Sequence, residues 1–480
     1  MLDLRPVFLV IGAFLATLGC AMLVPALVDL AFDHPDWPLF VASALITVFF
    51  GVTMWVTCRG AETRLGLREA FVLTTFVWVI GAGFAALPLY WAGLNLTFTD
   101  AYFEAMSGLT TTGSTVIVGL DNAAPGLLLW RAILQWIGGI GIVVTAVAVL
   151  PMLQIGGMQY FRAEAFDTPE KILPRASQLA GSLIGVYLVL TAACAVLYAV
   201  AGITPFDAIA HSMTTVATAG FSTKDASFAA FGPAVQWIAI VFMAAGALPF
   251  MLYVKAIRGN PRALFDDEQV RAFFVILGGL VVLSLFSIGL QPGAVDAPLR
   301  EVMFNMVSIM TGTGYATTDF NHWGPLAVGL FFTAMFIGGC TGSTSCGMKV
   351  FRFVVMFQNI RQHAQRIVHP SGIFVKRYNG RPLSDNISAA VLTFVFLYLV
   401  GFAVLAVALS LTGVDAITAA SGAATAISNV GPGLGPVIGP AGNFASLPDT
   451  AKWLLTAGML IGRLEILTVL VLFIPAFWHR

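Results

Sequence analysis

The chain has 480 residues, of which 58% are hydrophobic and only 10% charged, and its basic and acidic residues balance to a formal net charge of zero. A soluble domain carries about 25% charged residues, so this composition and a mean hydropathy of +0.90 exclude an ordinary soluble domain and point to a membrane protein. Neutrality also argues against nucleic acid as a partner.

The first apolar run, "FLVIGAFLATLGCAMLVPALV", has no clear cleavage site after it and is long enough to cross a bilayer, so it reads as a retained helix. A span needs about 20 apolar residues. Ten segments qualify, at 7–30, 38–58, 70–92, 127–152, 178–202, 232–256, 271–291, 323–350, 386–411 and 452–478. The five cysteines contain no CxxC pair and read as packing residues in or beside these segments. With the N-terminus inside and ten alternating helices, 19 of the 24 basic residues fall on the inner side; Arg131, Lys224, Arg300 and Lys452 fall outside, and Arg463 lies within a span. The positive-inside rule therefore predicts N-in and C-in.

Between several spans lie short, semi-polar stretches, all on the predicted outer side. They read "DAYFEAMSGLTTTGST" (100–115), "DAIAHSMTTVATAGFS" (207–222), "EVMFNMVSIMTGTGYA" (301–316) and "DAITAASGAATAISNVGPG" (415–433). In the first three an acidic residue precedes a glycine by thirteen positions: Asp100 and Gly113, Asp207 and Gly220, Glu301 and Gly314. In the fourth, Asp415 precedes Gly431 by sixteen. The predicted architecture is an all-α integral membrane protein of ten transmembrane helices: two leading helices (1–60), then four pseudo-symmetric helix–pore loop–helix repeats (61–156, 157–260, 261–360 and 361–480) around one central pore. Backbone that leaves the helix at membrane depth must be buried or line water. Glycine admits angles that turn carbonyls inward, and a ring of carbonyl oxygens replaces the water shell of a dehydrated cation. The acidic residues stand at the starts of short helices, where a capping role is expected.

The eighth span contains "IGGCTGSTSCG" (337–347), with four glycines among small polar residues. Glycine costs about 1 kcal/mol in a helix relative to alanine, so a break is expected, forming a loop across the pore below the four pore loops. Gly338, Gly339, Gly342, Ser343, Thr344, Ser345 and Gly347 are the residues expected to form a gate there. Cys340 and Cys346 read as small fillers, since nothing nearby completes a metal site. Arg463, in the tenth span, must face protein or water and is expected to reach the carbonyls or hydroxyls of this loop. Glu465, two residues on, points to another part of the helix surface. The segment 357–383 is expected to be a long, basic inner loop facing lipid headgroups or a cytosolic regulator.

With these residues in view, the chain resembles the Trk/Ktr/HKT superfamily of cation channels and transporters, and most closely its bacterial TrkH branch. "SGLTTTGSTV", "ATAGFST", "TGTGYATT" and "SNVGPGLG" are similar to its four filter loops; "WRAILQWIGGIGIVV", "GGCTGSTSCGMKVFR" and "GRLEILTVLVLF" also look like its motifs. The resemblance implies a potassium-selective pore within each subunit, homodimerisation, a bacterial inner membrane and gating by a TrkA-like cytosolic nucleotide-binding ring. It implies K⁺ as the transported ion at a filter backbone of Thr111, Thr112 and Gly113; Thr218, Ala219 and Gly220; Gly312, Thr313 and Gly314; and Asn429, Val430 and Gly431. In plant relatives a serine at the first of these glycines goes with sodium preference, so Gly113 argues for potassium. The alternative is a proton- or sodium-coupled symporter, for which Glu104 and Glu465 are the intramembrane carboxylates available. An intramembrane enzyme is disfavoured, because the spans hold no HExxH, no G-x-S-x-G and no paired Asp. No nucleotide fingerprint is present, so control by ATP or NAD falls to a partner.

Overall fold

A computed structural model describes residues 3–60, 66–148, 172–290 and 299–478; side chains are described outside 144–148 and 172–177. The expected repeat boundaries at 60/61 and 156/157 and the inner-side charges Arg64, Arg162, Lys171 and Arg480 lie outside the described residues, as does the side chain of Arg175.

The two leading helices, Arg5–Ala31 and Trp37–Thr57, pack tightly on each other. Glycines set that distance: a Cβ at Gly12 would lie closer than 3.0 Å to the Gly51 carbonyl, and one at Gly51 would meet Ala16 and Gly12. Small residues of this kind let membrane helices approach backbone to backbone.

Four units follow. Each has an incoming helix, a short helix, a loop and an outgoing helix. The incoming helices are Leu67–Trp91, Ile172–Val200, Glu268–Gly289 and Asp385–Ser410. The short helices are Phe98–Leu109, Pro205–Val216, Leu299–Thr311 and Ala416–Ser428. The outgoing helices begin at Pro125, Pro233, Pro325 and Asp449. Proline suits a first turn, whose N–H has no helical partner. Three of the short helices start where a side chain accepts the free amides. Thr97 and Asp100 form a reciprocal capping box, Thr204 accepts from Asp207 N, and Asp415 accepts from Ile417 N and Thr418 N.

The units close on themselves. Each short helix packs against the outgoing helix of its own unit and against that of the unit before. The first, Phe98–Leu109, packs against Asp449–Arg463 of the fourth unit.

Each of the ten predicted spans is met by an apolar helical segment, and among the described residues seven of these are continuous. The expected break in the eighth is present: helix Pro325–Phe336 ends, a loop follows, and helix Val350–Val368 runs on. Two further breaks were not expected. Pro233–Gly246 and Phe250–Ile257 meet at 92°, and Asp449–Arg463 and Ile466–Phe473 at 110°. Pro249 accounts for the first, since its ring and missing N–H stop the helix there. The second turns on Glu465, whose φ is 60°.

The segment 357–383 is also not a plain loop. Helix occupies it to Val368, and Arg377–Tyr378 pairs with Arg381–Pro382 in a small hairpin.

Candidate functional site

The four short helices end alike. In each, the amide of the residue before the repeated glycine donates back to the last helical turn: Thr112 N to Ser107 O (2.8 Å), Ala219 N to Thr214 O (3.0 Å), Thr313 N to Ser308 O (2.8 Å) and Val430 N to Thr425 O (3.0 Å). A second bond runs from the preceding amide, as in Thr111 N to Gly108 O at 3.0 Å. This is the Schellman closure, and it needs a left-handed residue at its centre. Thr111 (φ 53°), Thr218 (49°), Gly312 (72°) and Asn429 (52°) take that place. Two of them are β-branched threonines, which are rare at positive φ. Two residues on, Gly113, Gly220, Gly314 and Gly431 are left-handed again, at 84°, 88°, 83° and 111°.

The double reversal brings the four loops together. A Cβ at Gly113 would lie closer than 3.0 Å to the Ala219 carbonyl oxygen, one at Gly220 to that of Thr313, one at Gly314 to that of Val430, and one at Gly431 to that of Thr112. Each loop leans on the next, and the fourth leans on the first. All four glycines line one cavity of about 70 Å³.

Hydroxyls behind the ring hold the loops in shape. Thr110 and Thr112 Oγ1 are 2.7 Å apart, as are those of Thr311 and Thr313. Asn429 Nδ2 donates to Thr112 Oγ1 (2.9 Å), and Ser114 Oγ donates to the Gly431 carbonyl (2.8 Å). Gln135 clamps the second loop, donating to Ala219 O and accepting from Phe221 N.

A further tier was missed in the sequence. Glu104, His211 and Asn305 occupy the same register of the first three short helices, and all are fully buried. Each reaches the segment leaving its loop. Glu104 accepts from Val116 N and Thr115 Oγ1, His211 Nε2 bonds Ser222 Oγ at 3.0 Å, and Asn305 pairs with Thr317. Glu104 also takes Arg131 Nε at 2.8 Å, while Arg131 Nη1 donates to Ser222 O of the next loop. Arg131 is thus a buried partner and not an outer flanking charge, as its sequence position suggested. Lys452 is likewise buried against Asp100 at 2.6 Å, and Arg352, counted among the inner charges, is buried against Glu465 at 2.5 Å. Glu465 thus pairs with Arg352 and not with Arg463, although the two line one cavity and a helix break, not a shared helix surface, lies between them. Only the shared spacing to the glycine could have revealed the tier, and its unlike residue types hid it.

Below the ring lies the 337–349 loop. Its amides and hydroxyls take carbonyls that helix ends leave free. Cys340 N donates to Ala247 O (2.9 Å) and Thr344 N to Gly246 O (3.2 Å), at the bend of the second outgoing helix. Thr344 Oγ1 donates to Val216 O and meets Thr218 Oγ1; Ser345 Oγ donates to Thr311 O (2.6 Å). Ser343 Oγ and Gly339 N make bonds within the loop, Gly338 N bonds Met348 O, and Gly347 packs back on Gly338. Gly342 accepts from Phe250 N.

Arg463, the last residue of its helix, is 4% exposed. Its guanidinium reaches Thr344 O (3.3 Å), Gly138 O (2.9 Å) and Cys346 Sγ (2.6 Å). Cys346 Sγ lies 3.5 Å from Thr111 Oγ1. Cys346 therefore does more than fill space: it stands between the arginine and the first loop. Among the described residues no cluster of His, Cys, Asp or Glu could hold a metal. A second glycine set fits the same level: Gly138, Gly246 and Gly462 sit in one register of their outgoing helices, each against a carbonyl at the end of its short helix.

Helices that wrap four converging loops, with a second loop beneath, define a multi-pass membrane protein built around one axial constriction. The comparisons agree. The family model described as "TrkH: Cation transport protein" matches residues 38–480. The Trk system potassium uptake protein TrkI of Halomonas elongata is 45% identical over 99% of this chain and 97% of its own length. TrkH of Escherichia coli K12 is 36% identical over 99% of both. The crystal structure of the potassium transporter TrkH from Vibrio parahaemolyticus superposes with a TM-score of 0.91 at 38% identity, covering 100% of both chains. The chain belongs to the TrkH family of cation transport proteins.

Proposed function

We propose that this protein admits potassium through a selective, gated pore formed within a single subunit. The closed ring of four loops is the observation that carries the reading. Its backbone oxygens, from Thr111 to Gly113, Thr218 to Gly220, Gly312 to Gly314 and Asn429 to Gly431, are the ligands a dehydrated monovalent cation requires. The hydroxyls of Thr110, Thr112, Thr311 and Thr313 are engaged with one another, which leaves coordination to carbonyls. Similarity to proteins named for potassium uptake supports potassium as the cargo.

The 337–349 loop and Arg463 form the gate. The loop touches the undersides of the first three filter loops, and a buried positive charge there opposes cation passage. Opening requires the guanidinium to leave Thr344 O and Cys346. Uptake runs inward down an inside-negative potential, which supplies about 2.3 kcal/mol per charge per 100 mV. The protein sits N-in and C-in in a bacterial inner membrane, pairs as a homodimer and takes its regulation from a TrkA-like nucleotide-binding ring on its cytosolic face. A proton- or sodium-coupled symporter is the weaker reading, because Glu104 and Glu465 are each held in a buried ion pair.

Flux into liposomes from purified protein, with K⁺, Rb⁺, Na⁺ and Li⁺ compared, tests the pore. K⁺ and Rb⁺ are expected to pass ahead of Na⁺ and Li⁺ without any proton gradient. Arg463→Ala is expected to raise K⁺ flux in the absence of a cytosolic partner; unchanged flux removes the gate assignment.

A further inference from the structure

Resting on that gate, the structure points to how it is held from the cytosolic side. We propose that Gln269 is a positioning residue of the gate loop, and that Asn379, at the tip of the cytosolic hairpin, sets Gln269 in place. Gln269 is 1% exposed in the first turn of helix Glu268–Gly289. Its Oε1 accepts from Thr341 N at 2.8 Å, inside the 337–349 loop. Thr341 lies beside Cys340, which is bonded to Ala247, and Gly342, which is bonded to Phe250. Three residues on, Thr344 and then Ser345 reach the filter loops. The glutamine thus fixes the end of the loop that the filter does not.

The first turn of that helix is held in turn. Asp267 Oδ1 caps it, accepting from Gln269 N (2.9 Å) and Val270 N (3.4 Å). The other carboxylate oxygen, Oδ2, accepts from Asn379 Nδ2 (2.9 Å). Asn379 Oδ1 accepts from Glu268 N (3.0 Å), and Asn379 N donates to Glu268 Oε1 (3.0 Å). Asn379 has φ 47°, at the turn between Arg377–Tyr378 and Arg381–Pro382. Asparagine tolerates that angle, and its amide supplies both a donor and an acceptor. The hairpin is tied down as well. Tyr378 packs edge-on against Phe351, and Lys376 Nζ bonds Asn359, Asp385 and Ser388. A load on the hairpin therefore reaches the gate loop through Asn379, Asp267 and Gln269, a chain of short hydrogen bonds that bypasses the continuous helix Val350–Val368.

The test uses the full chain with two substitutions. Asn379→Gly keeps the left-handed turn and deletes both side-chain bonds; Gln269→Met keeps the volume and deletes the acceptor. Hydrogen exchange is followed in peptides covering 337–349 and, as reference, 110–116, and K⁺ and Na⁺ flux is measured in liposomes. Each variant is expected to speed exchange in 337–349 about tenfold, the effect of losing about one net hydrogen bond, while 110–116 is unchanged. Each is also expected to raise K⁺ flux without altering the K⁺/Na⁺ ratio, and the double variant to do no more than Gln269→Met alone. Unchanged exchange in 337–349 for Asn379→Gly, or effects of the two substitutions that simply add, overturn the proposal. Faster exchange with unchanged flux upholds the mechanical link and instead overturns the loop as gate. A variant that fails to fold is replaced by Asn379→Asp. It keeps the acceptor for Glu268 N but sets a carboxylate against Asp267, and the same readings apply.

Discussion

At Gly220 two demands meet: φ is 88°, and the space where a Cβ would go is filled by the Thr313 carbonyl. Gly220→Ala must therefore strain its own backbone and push the neighbouring oxygen away. Strain of this kind costs about 1–3 kcal/mol, so a lower melting midpoint is expected together with loss of K⁺ over Na⁺ preference in liposome flux. Thr111 and Thr218 hold the same region of backbone space without glycine, and their side chains are kept by Cys346 and Thr344. Glu104 carries a different load. It is 0% exposed, faces Arg131 at 2.8 Å and accepts from the first loop. Breaking a buried pair on one side costs about 3–5 kcal/mol, because the remaining charge is left alone. Glu104→Gln is expected to lower the melting midpoint more than the double change Glu104→Gln with Arg131→Met, which a thermal-shift comparison of the two checks.

Helix ends, more than helix lengths, decide how these elements meet. Asp29 shows it: its Oδ1 accepts from Gly126 N at 2.6 Å, so a carboxylate on the first leading span caps the start of the first outgoing helix. Loss of a cap costs about 1 kcal/mol, and Asp29→Ala is expected to lower the melting midpoint while leaving K⁺/Na⁺ selectivity unchanged. The sequence made much of this fold legible. Hydropathy found the ten apolar segments, and the recurring acidic residue and glycine found the four short helices and their loops. The break in the eighth span was legible because four glycines interrupt it. The bend after Arg463 was not, since Leu464 and Glu465 carry no breaker signal and the turn is held by tertiary partners: Arg352 on Glu465 and the loop on Arg463. That Arg131, Lys452 and Arg352 are buried in ion pairs was hidden for a related reason. Counting charges by position cannot separate a flanking cation from one buried against a carboxylate. The tier of Glu104, His211 and Asn305 escaped notice because what repeats is a hydrogen-bonding duty and not a residue type.

Across the whole molecule the four units form a circuit, by helix packing and again by glycine against carbonyl. Neither half of the chain can complete it. The exposed turn at Gly259 and Asn260 separates the second unit from the third. Two fragments cut there and made together are expected to copurify and restore selective K⁺ flux, because contacts from the second loop to the third and from the fourth to the first span the cut. Either fragment alone is expected to show none. The circuit is also uneven. Its first and third quadrants carry a threonine pair, its second has Ala217 and Ala219, and its fourth has Val430. In an assembly of four identical subunits every substitution is made fourfold. Here one codon changes one wall of the ring and leaves three intact, so under the pore function proposed above natural variation would adjust ion preference in small steps that a symmetric tetramer cannot take.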